Sequence, residues 1–235
     1  MVEALRRHPV RLVTIVFAVV LLSVVSYLIL RPSVKSANPP TEEYPVRGID
    51  ISSHNGRIDF GRVATQVQFV IIKATEGATW TDRSFESNYT SARDAGLKVG
   101  IYHFFRFDSD GLSQGRNLNV AIFNRRPDLP VAIDVEDTGN ATGVPYDTIM
   151  ARLHTLVDFL EAHGHKVMFY TNKQGYRRYI EHDFPGYPLW ICSFSNPPVS
   201  APWMFWQYSH TGKVAGIEGD VDMNTFNGQL RDFTF

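Results

Sequence analysis

The stretch LPVAIDVED, Leu129 to Asp137, decides how the chain folds. Its apolar run has the length of a buried strand, yet two carboxylates, Asp134 and Glu136, sit near its end. Burying an ionised carboxylate without partners costs several kcal/mol or more. Residues i and i+2 of a strand share a face. Ile133 and Val135 therefore face one way, and Asp134 and Glu136 the other.

Outward from this strand, short apolar runs alternate with helical patterns. Strands are expected at 47–52, 69–75, 98–105, 129–136, 166–172, 188–194, 203–209 and 221–226. Helices are expected at 84–96, 110–126, 145–164 and 173–183. The third is the clearest: Pro145 suits a first turn, and Ile149, Leu153, Leu156, Val157 and Leu160 form one apolar face. Apolar strands alternating with helices imply a mostly parallel sheet covered by helices. About eight strands suffice for a barrel. The helical signal fades after about residue 185, so the expectation is an α/β fold with an irregular, incomplete (β/α) barrel.

In parallel α/β barrels the C-terminal rim of the strands builds the site. Asp134 and Glu136 fall there. A buried carboxyl beside a like charge is held protonated to higher pH, as a general acid requires. The same two residues also read as capping or salt-bridging acids at a loop entrance. GIDIS places Asp50 at the end of the first strand, and GDVDMN places Asp222 in the last. Asp50 has its own alternative as a turn cap through Ser52 and Ser53, and Asp222 as an Asx-turn. Aromatic residues accompany the rim: Tyr102, Phe104, Phe105, Tyr170, Trp190, Trp206 and Tyr208. Core filling suits Phe104, Phe105 and Trp206; sugar stacking suits Tyr102, Tyr170 and Trp190. Lys73 reads as a partner of Glu76 or of a rim acid, and His103 as a hydrogen-bonded core residue.

The 235-residue chain begins with a different kind of segment. Leu12 to Leu30 is an uncharged run of 19 residues, long enough to cross the ~30 Å hydrocarbon core as one helix. Arg6, Arg7 and Arg11 precede it, and Arg31 and Lys35 follow, a slight excess favouring a cytoplasmic N-terminus. A cleaved signal peptide would have a shorter apolar run and a small-x-small site, whereas KSAN places Lys35 in the way. The expectation is a transmembrane signal-anchor over 1–35, a linker over 36–45 and one domain over 46–235. That places the domain outside a bacterial cytoplasmic membrane, single-pass, with the N-terminus inside.

Residues 1–35 hold five Lys/Arg and one Glu, which leaves 18 basic against 23 acidic residues, about −5, for the rest. Such a domain is a poor nucleic-acid binder. Cys192 is the sole cysteine, so no intrachain disulfide forms. No His/Cys ligand spacing, Gly-x-Ser-x-Gly elbow or phosphate-cradling glycine loop occurs, and neither metal, other cofactor nor nucleotide is expected. Asn88-Tyr-Thr90 and Asn140-Ala-Thr142 are sequons, triplets common by chance.

Seven blocks, RGIDISSHNGRIDF, FVIIKATEG, GIYHFFR, LPVAIDVE, MFYTN, LWICSF and WQYS…GIEGDVDMNTF, together resemble the glycoside hydrolase family 25 lysozymes in order and spacing. The resemblance covers Arg47 to Phe226. It implies a peptidoglycan muramidase cleaving between N-acetylmuramic acid and N-acetylglucosamine. By resemblance Glu136 is the general acid and then the base, and Asp134 orients the substrate's 2-acetamido group for attack on the anomeric carbon. Asp50 and Asp222 hold substrate and tune the pair. Tyr102, Tyr170 and Trp190 match positions of the sugar groove, with Lys73 and Gln207 as further substrate contacts. Cys192, Phe194, His54 and Asn55 depart from the family's usual residues. The alternatives are a glycan-binding barrel without catalysis and a metal-dependent wall amidase or deacetylase.

Overall fold

A computed structural model of the chain describes residues 14–20, 37–194, 197–198 and 202–233. It contains two compact units, residues 1–35 and 36–235. In the first, residues 14–20 are helical with exposed side chains. The rest of the expected membrane-spanning run lies outside the described residues. Among the described residues no helix is long and apolar enough to cross a membrane.

The second unit is a barrel. Its strands are β1 (Arg47–Ile51), β2 (Phe69–Glu76), β3 (Trp80–Thr81), β4 (Lys98–Phe104), β5 (Val131–Asp134), β6 (Val167–Asn172), β7 (Leu189–Cys192), β8 (Phe205–Gly212) and β9 (Val221–Phe226). Its helices are α1 (Phe60–Val63), α2 (Phe85–Asp94), α3 (Gly111–Ala121), α4 (Tyr146–Ala162) and α5 (Lys173–Gly175), which runs on into a wider turn at Tyr176–Ile180. From β1 through β2, β4, β5, β6 and β7 to β8 every pairing is parallel. β9 then runs antiparallel to both β8 and β1.

The barrel is therefore closed with eight strands, not incomplete as the fading helical signal led us to expect. Closure does not need a helix after every strand. An antiparallel β9 returns directly beside β8, and its other edge is satisfied by β1. The two-residue β3 and the one-turn α1 were too short to leave a periodic signal in the sequence.

The strand alternation holds as read. Val131, Ile133 and Val135 join the layer between sheet and helices, with Leu153, Leu156 and Leu160 of α4. Ala132 and Asp134 point inward. The interior below them is filled by Met168, Ile71, Tyr170 and Trp190. Four phenylalanines, Phe69, Phe205, Phe226 and Phe233, plug the far end, with ring centroids 4.9–5.8 Å apart. Gly48 makes room for this plug, since a Cβ there would lie 2.3 Å from the Phe69 ring. The acids lie at the other end, the C-terminal rim of the parallel strands.

Candidate active site

β5 ends at Asp134, and the chain leaves the sheet through Glu136. The exit is fixed from both sides. Val135 N–H donates to the Tyr170 carbonyl at 2.9 Å, and Thr171 Oγ1 donates to the Val135 carbonyl at 2.6 Å. Asn140 then pins the loop: its Nδ2 donates to the carbonyls of Glu136 and Phe105, each at 2.9 Å, and its Oδ1 accepts from Phe107 N–H at 2.7 Å. This sequon asparagine is thus an internal brace of the rim. Asn88, the other, is buried against the core.

Asp134 is 6 % exposed and Asp50 7 %, while Glu136 and Asp222 are half-buried. Asp50 and Asp222 are register partners across β1 and β9. Asp50 Oδ2 accepts from Asn224 Nδ2 at 2.7 Å and from Gln207 Nε2 at 2.8 Å. Those partners are held in turn: Tyr170 OH donates to Gln207 Oε1 at 2.8 Å, and Trp190 Nε1 donates to Asn224 Oδ1 at 2.7 Å. A continuous network thus runs Tyr170–Gln207–Asp50–Asn224–Trp190 beneath the rim. Trp190, 2 % exposed, packs between Tyr170 and Tyr102 at 4.4 and 6.2 Å. Of the three aromatics assigned to a sugar groove, only Tyr102 is half-exposed; Tyr170 and Trp190 form the layer supporting it.

Each of the four acids is pushed towards its protonated form, first by burial. For Asp134 the charge of Glu136 adds to this, and for Asp50 the charge of Asp222. The Lys73 ammonium opposes the shift at both Asp134 and Glu136. Hydrogen bonds from Asn224 and Gln207 oppose the rise at Asp50, but burial and the charge of Asp222 outweigh them. Asp134 Oδ1 is buried and has no hydrogen-bond partner. A carboxylate oxygen so placed awaits a donor.

Lys73, read as a partner of Glu76, donates to Glu76 Oε2 at 2.9 Å. His103 is a core residue. Its Nε2 lies 3.1 Å from Gln114 Oε1, which only accepts, so Nε2 carries the proton and Nδ1 accepts from Thr75 Oγ1 at 2.7 Å. Burial pushes it down to about 4, which keeps it neutral. Sequence reasoning missed Asn224, although Asn224 sits two residues beyond Asp222 on the same strand. It also missed Asp82, buried and accepting from the Ser53 and Ser84 N–H groups at 2.9 and 2.8 Å. Asp82 lies in a loop with no apolar pattern to mark its burial.

The model of the family "Glycosyl hydrolases family 25" matches residues 49–217. An autolytic lysozyme of Clostridium acetobutylicum is 36 % identical over 185 residues, 77 % of this chain and 56 % of that protein, so this chain spans little more than half that relative's length. Lysozyme M1 of Streptomyces globisporus is 34 % identical over 212 residues, covering 80 % of this chain and 70 % of that protein. Among solved structures, a family 25 glycosyl hydrolase from Bacillus anthracis superposes with a TM-score of 0.77 at 32 % identity. It covers 85 % of this chain and 95 % of its own. A bacterial lysozyme from Streptomyces coelicolor gives 0.71 at 31 % identity, over 80 % and 94 % of the two chains.

Proposed function

The chain belongs to glycosyl hydrolase family 25, and from that premise we propose that it is a muramidase of peptidoglycan. It cleaves the β-1,4 bond between N-acetylmuramic acid and N-acetylglucosamine with retention, assisted by the substrate's acetamido group. The observation that carries this reading is the pair at the end of β5: two carboxyls of raised proton affinity, one with a buried oxygen that lacks a donor.

An acetamido N–H donating to Asp134 Oδ1 supplies the missing partner. Hydrogen bonds to a carboxylate favour its charged form. Substrate binding then lowers the proton affinity of Asp134, and a shared proton settles on Glu136, the more exposed of the two. Glu136 gives that proton to the departing sugar oxygen as the acetamido oxygen attacks the anomeric carbon. Glu136, now a base, takes a proton from the water that opens the cyclic intermediate. Such substrate-assisted hydrolysis is a recognised alternative to a carboxylate nucleophile. Asp50, held by two amides, and Asp222 line the opposite wall and keep negative potential near the developing positive charge.

The 19-residue run Leu12–Leu30 supports a second part of the proposal: a signal-anchor holding the domain outside the membrane, against the wall. Fractionation checks that part, the chain being expected in membranes after an alkaline wash and released only by detergent.

The activity is tested by incubating the purified chain with peptidoglycan and analysing the new ends by mass spectrometry. Reducing N-acetylmuramic acid ends are expected. Ends from peptide cleavage or deacetylated sugars, or intact glycan, would overturn the reading.

A further inference from the structure

Beside the acids, a cleft of about 530 Å³ lies between the β2–β3 turn and the loop following β4. Its walls carry Lys73, Glu76, Trp80, Arg106 and Asp108. Trp80 is 41 % exposed, on a strand of two residues that lies at the edge of the sheet. The core does not use it. Yet its backbone is held: Asn117 Nδ2, from α3, donates to the carbonyls of both Gly77 and Trp80 at 3.0 Å. The rings of Trp80 and Phe104 flank the Lys73 ammonium at 5.0 and 5.1 Å. Lys73 links this cleft to the acids, since its charge also acts on Asp134 and Glu136.

The charges in it cancel. Glu76 takes Lys73 at 2.9 Å and Arg106 at 3.5 Å, and Arg106 reaches Asp108 at 3.3 Å. Arg106 also donates to the Gly139 carbonyl at 2.8 Å, which ties the cleft to the loop behind Glu136. Two cations and two anions already paired leave no net charge to attract an anionic peptide. They do offer fixed donors and acceptors around an exposed aromatic face. A neutral pyranose ring, apolar on its faces and hydroxylated at its edges, matches that combination, and a pre-ordered platform lowers the entropic cost of binding it.

We propose that this cleft is a glycan subsite in which Trp80 stacks on a sugar ring flanking the cleaved bond, while Glu76 and Arg106 hydrogen-bond its hydroxyl and acetamido groups. The proposal deepens the muramidase reading and rests on it for the class of substrate.

The test uses the full chain carrying Glu136→Gln, so that glycan is bound and not consumed. Three probes are compared by calorimetry: glycan strands stripped of peptide, strands bearing peptide, and free stem peptide. Adding Trp80→Ala is expected to weaken binding of stripped strands about tenfold, and Trp80→Tyr to recover part of it. Melting temperature serves as the control for folding. Unchanged affinity for stripped strands in Trp80→Ala overturns the proposal, as does a loss confined to free peptide. The two readings separate cleanly. Trp80-dependent binding without cleavage by the unmodified chain removes the muramidase assignment and keeps the subsite. Cleavage with Trp80-independent binding does the reverse, and no glycan binding by any variant sinks both.

Discussion

Asp50 and Asp222 face each other across the antiparallel β1–β9 pair that closes the barrel, and burial raises the proton affinity of both. The seam of the fold is therefore also a wall of the site. Two amide donors converge on Asp50 Oδ2 and oppose the rise that burial imposes on this carboxyl.

Asparagine at position 50 keeps an oxygen that accepts from Asn224 and Gln207 but has no carboxyl to titrate. Raised carboxyls such as Asp50 and Asp134 bind protons more tightly folded than unfolded. Their contribution is fully present below the unfolded carboxyl range of about 4 and is lost as pH rises through the raised folded values. Thermal melting should therefore show the unmodified chain losing stability from acid towards neutral pH. Asp50→Asn should flatten that slope. Asp50→Ala strands two buried amide donors and should cost about 1–3 kcal/mol for each.

Glu136→Gln keeps the size and half-buried position of the side chain but has no proton to transfer. Loss of a positioned general acid costs roughly 10²–10⁴-fold in rate. Turnover on peptidoglycan should fall by that much with the melting temperature kept or raised, because a charge is removed from a buried pair. Asp134→Asn should also be slow. Its amide can still pair with the substrate's acetamido group through its oxygen, so binding should survive where turnover does not.

The strand ends were legible because two periodicities coincide in them: the alternation that buries Ile133 and Val135 also aims Asp134 and Glu136 at the axis. The anchor expected over Leu12–Leu30, by contrast, falls mostly outside the described residues. Barrel closure carries no helical marker in the sequence, because β9 closes the sheet by hydrogen bonds to β1 and β8. The support for the acids was only partly visible. Gln207 was named as a substrate contact, yet both ends of its amide are spent inside, on Tyr170 and Asp50. Which face of a strand a polar residue occupies can be read from its spacing. Which partner satisfies it depends on the register of strands distant in sequence, such as Asn224 beside Gln207. Trp80 left no signal, because a lone aromatic in a turn has no period.

Cys192 ends β7, half-buried beside Tyr170 and near the acids. Burial, reinforced by the neighbouring acids of the rim, pushes its thiol up to about 12. The thiolate is the nucleophile, so little of it is available at neutral pH. Iodoacetamide near pH 8 should label this position roughly 10³-fold more slowly than a free cysteine of ordinary acidity. Cys192→Ala should leave the fold intact. Rapid labelling, followed by mass spectrometry, would show that the thiol is more solvated than its surroundings indicate.

Lys73 sets where the site works on the pH scale. Its ammonium sits between two aromatic faces, bonded to Glu76, and its charge lowers the proton affinity of both Asp134 and Glu136. Methionine has a similar length and keeps the packing against Trp80 and Phe104, but it removes the charge. Both acids then hold their protons to higher pH. The acidic limb of kcat/KM, which reports ionisation of one carboxyl, moves up, and so does the alkaline limb, which reports loss of the proton from the general acid. The expected result for Lys73→Met is therefore a bell shifted bodily towards alkaline pH, measured from about pH 4 to about 9. Lys73→Arg retains the charge and should keep the original profile even if its rate falls. A uniformly lowered bell with unmoved limbs in Lys73→Met would mean that the lysine acts through packing alone, and the electrostatic role given to it here would be wrong.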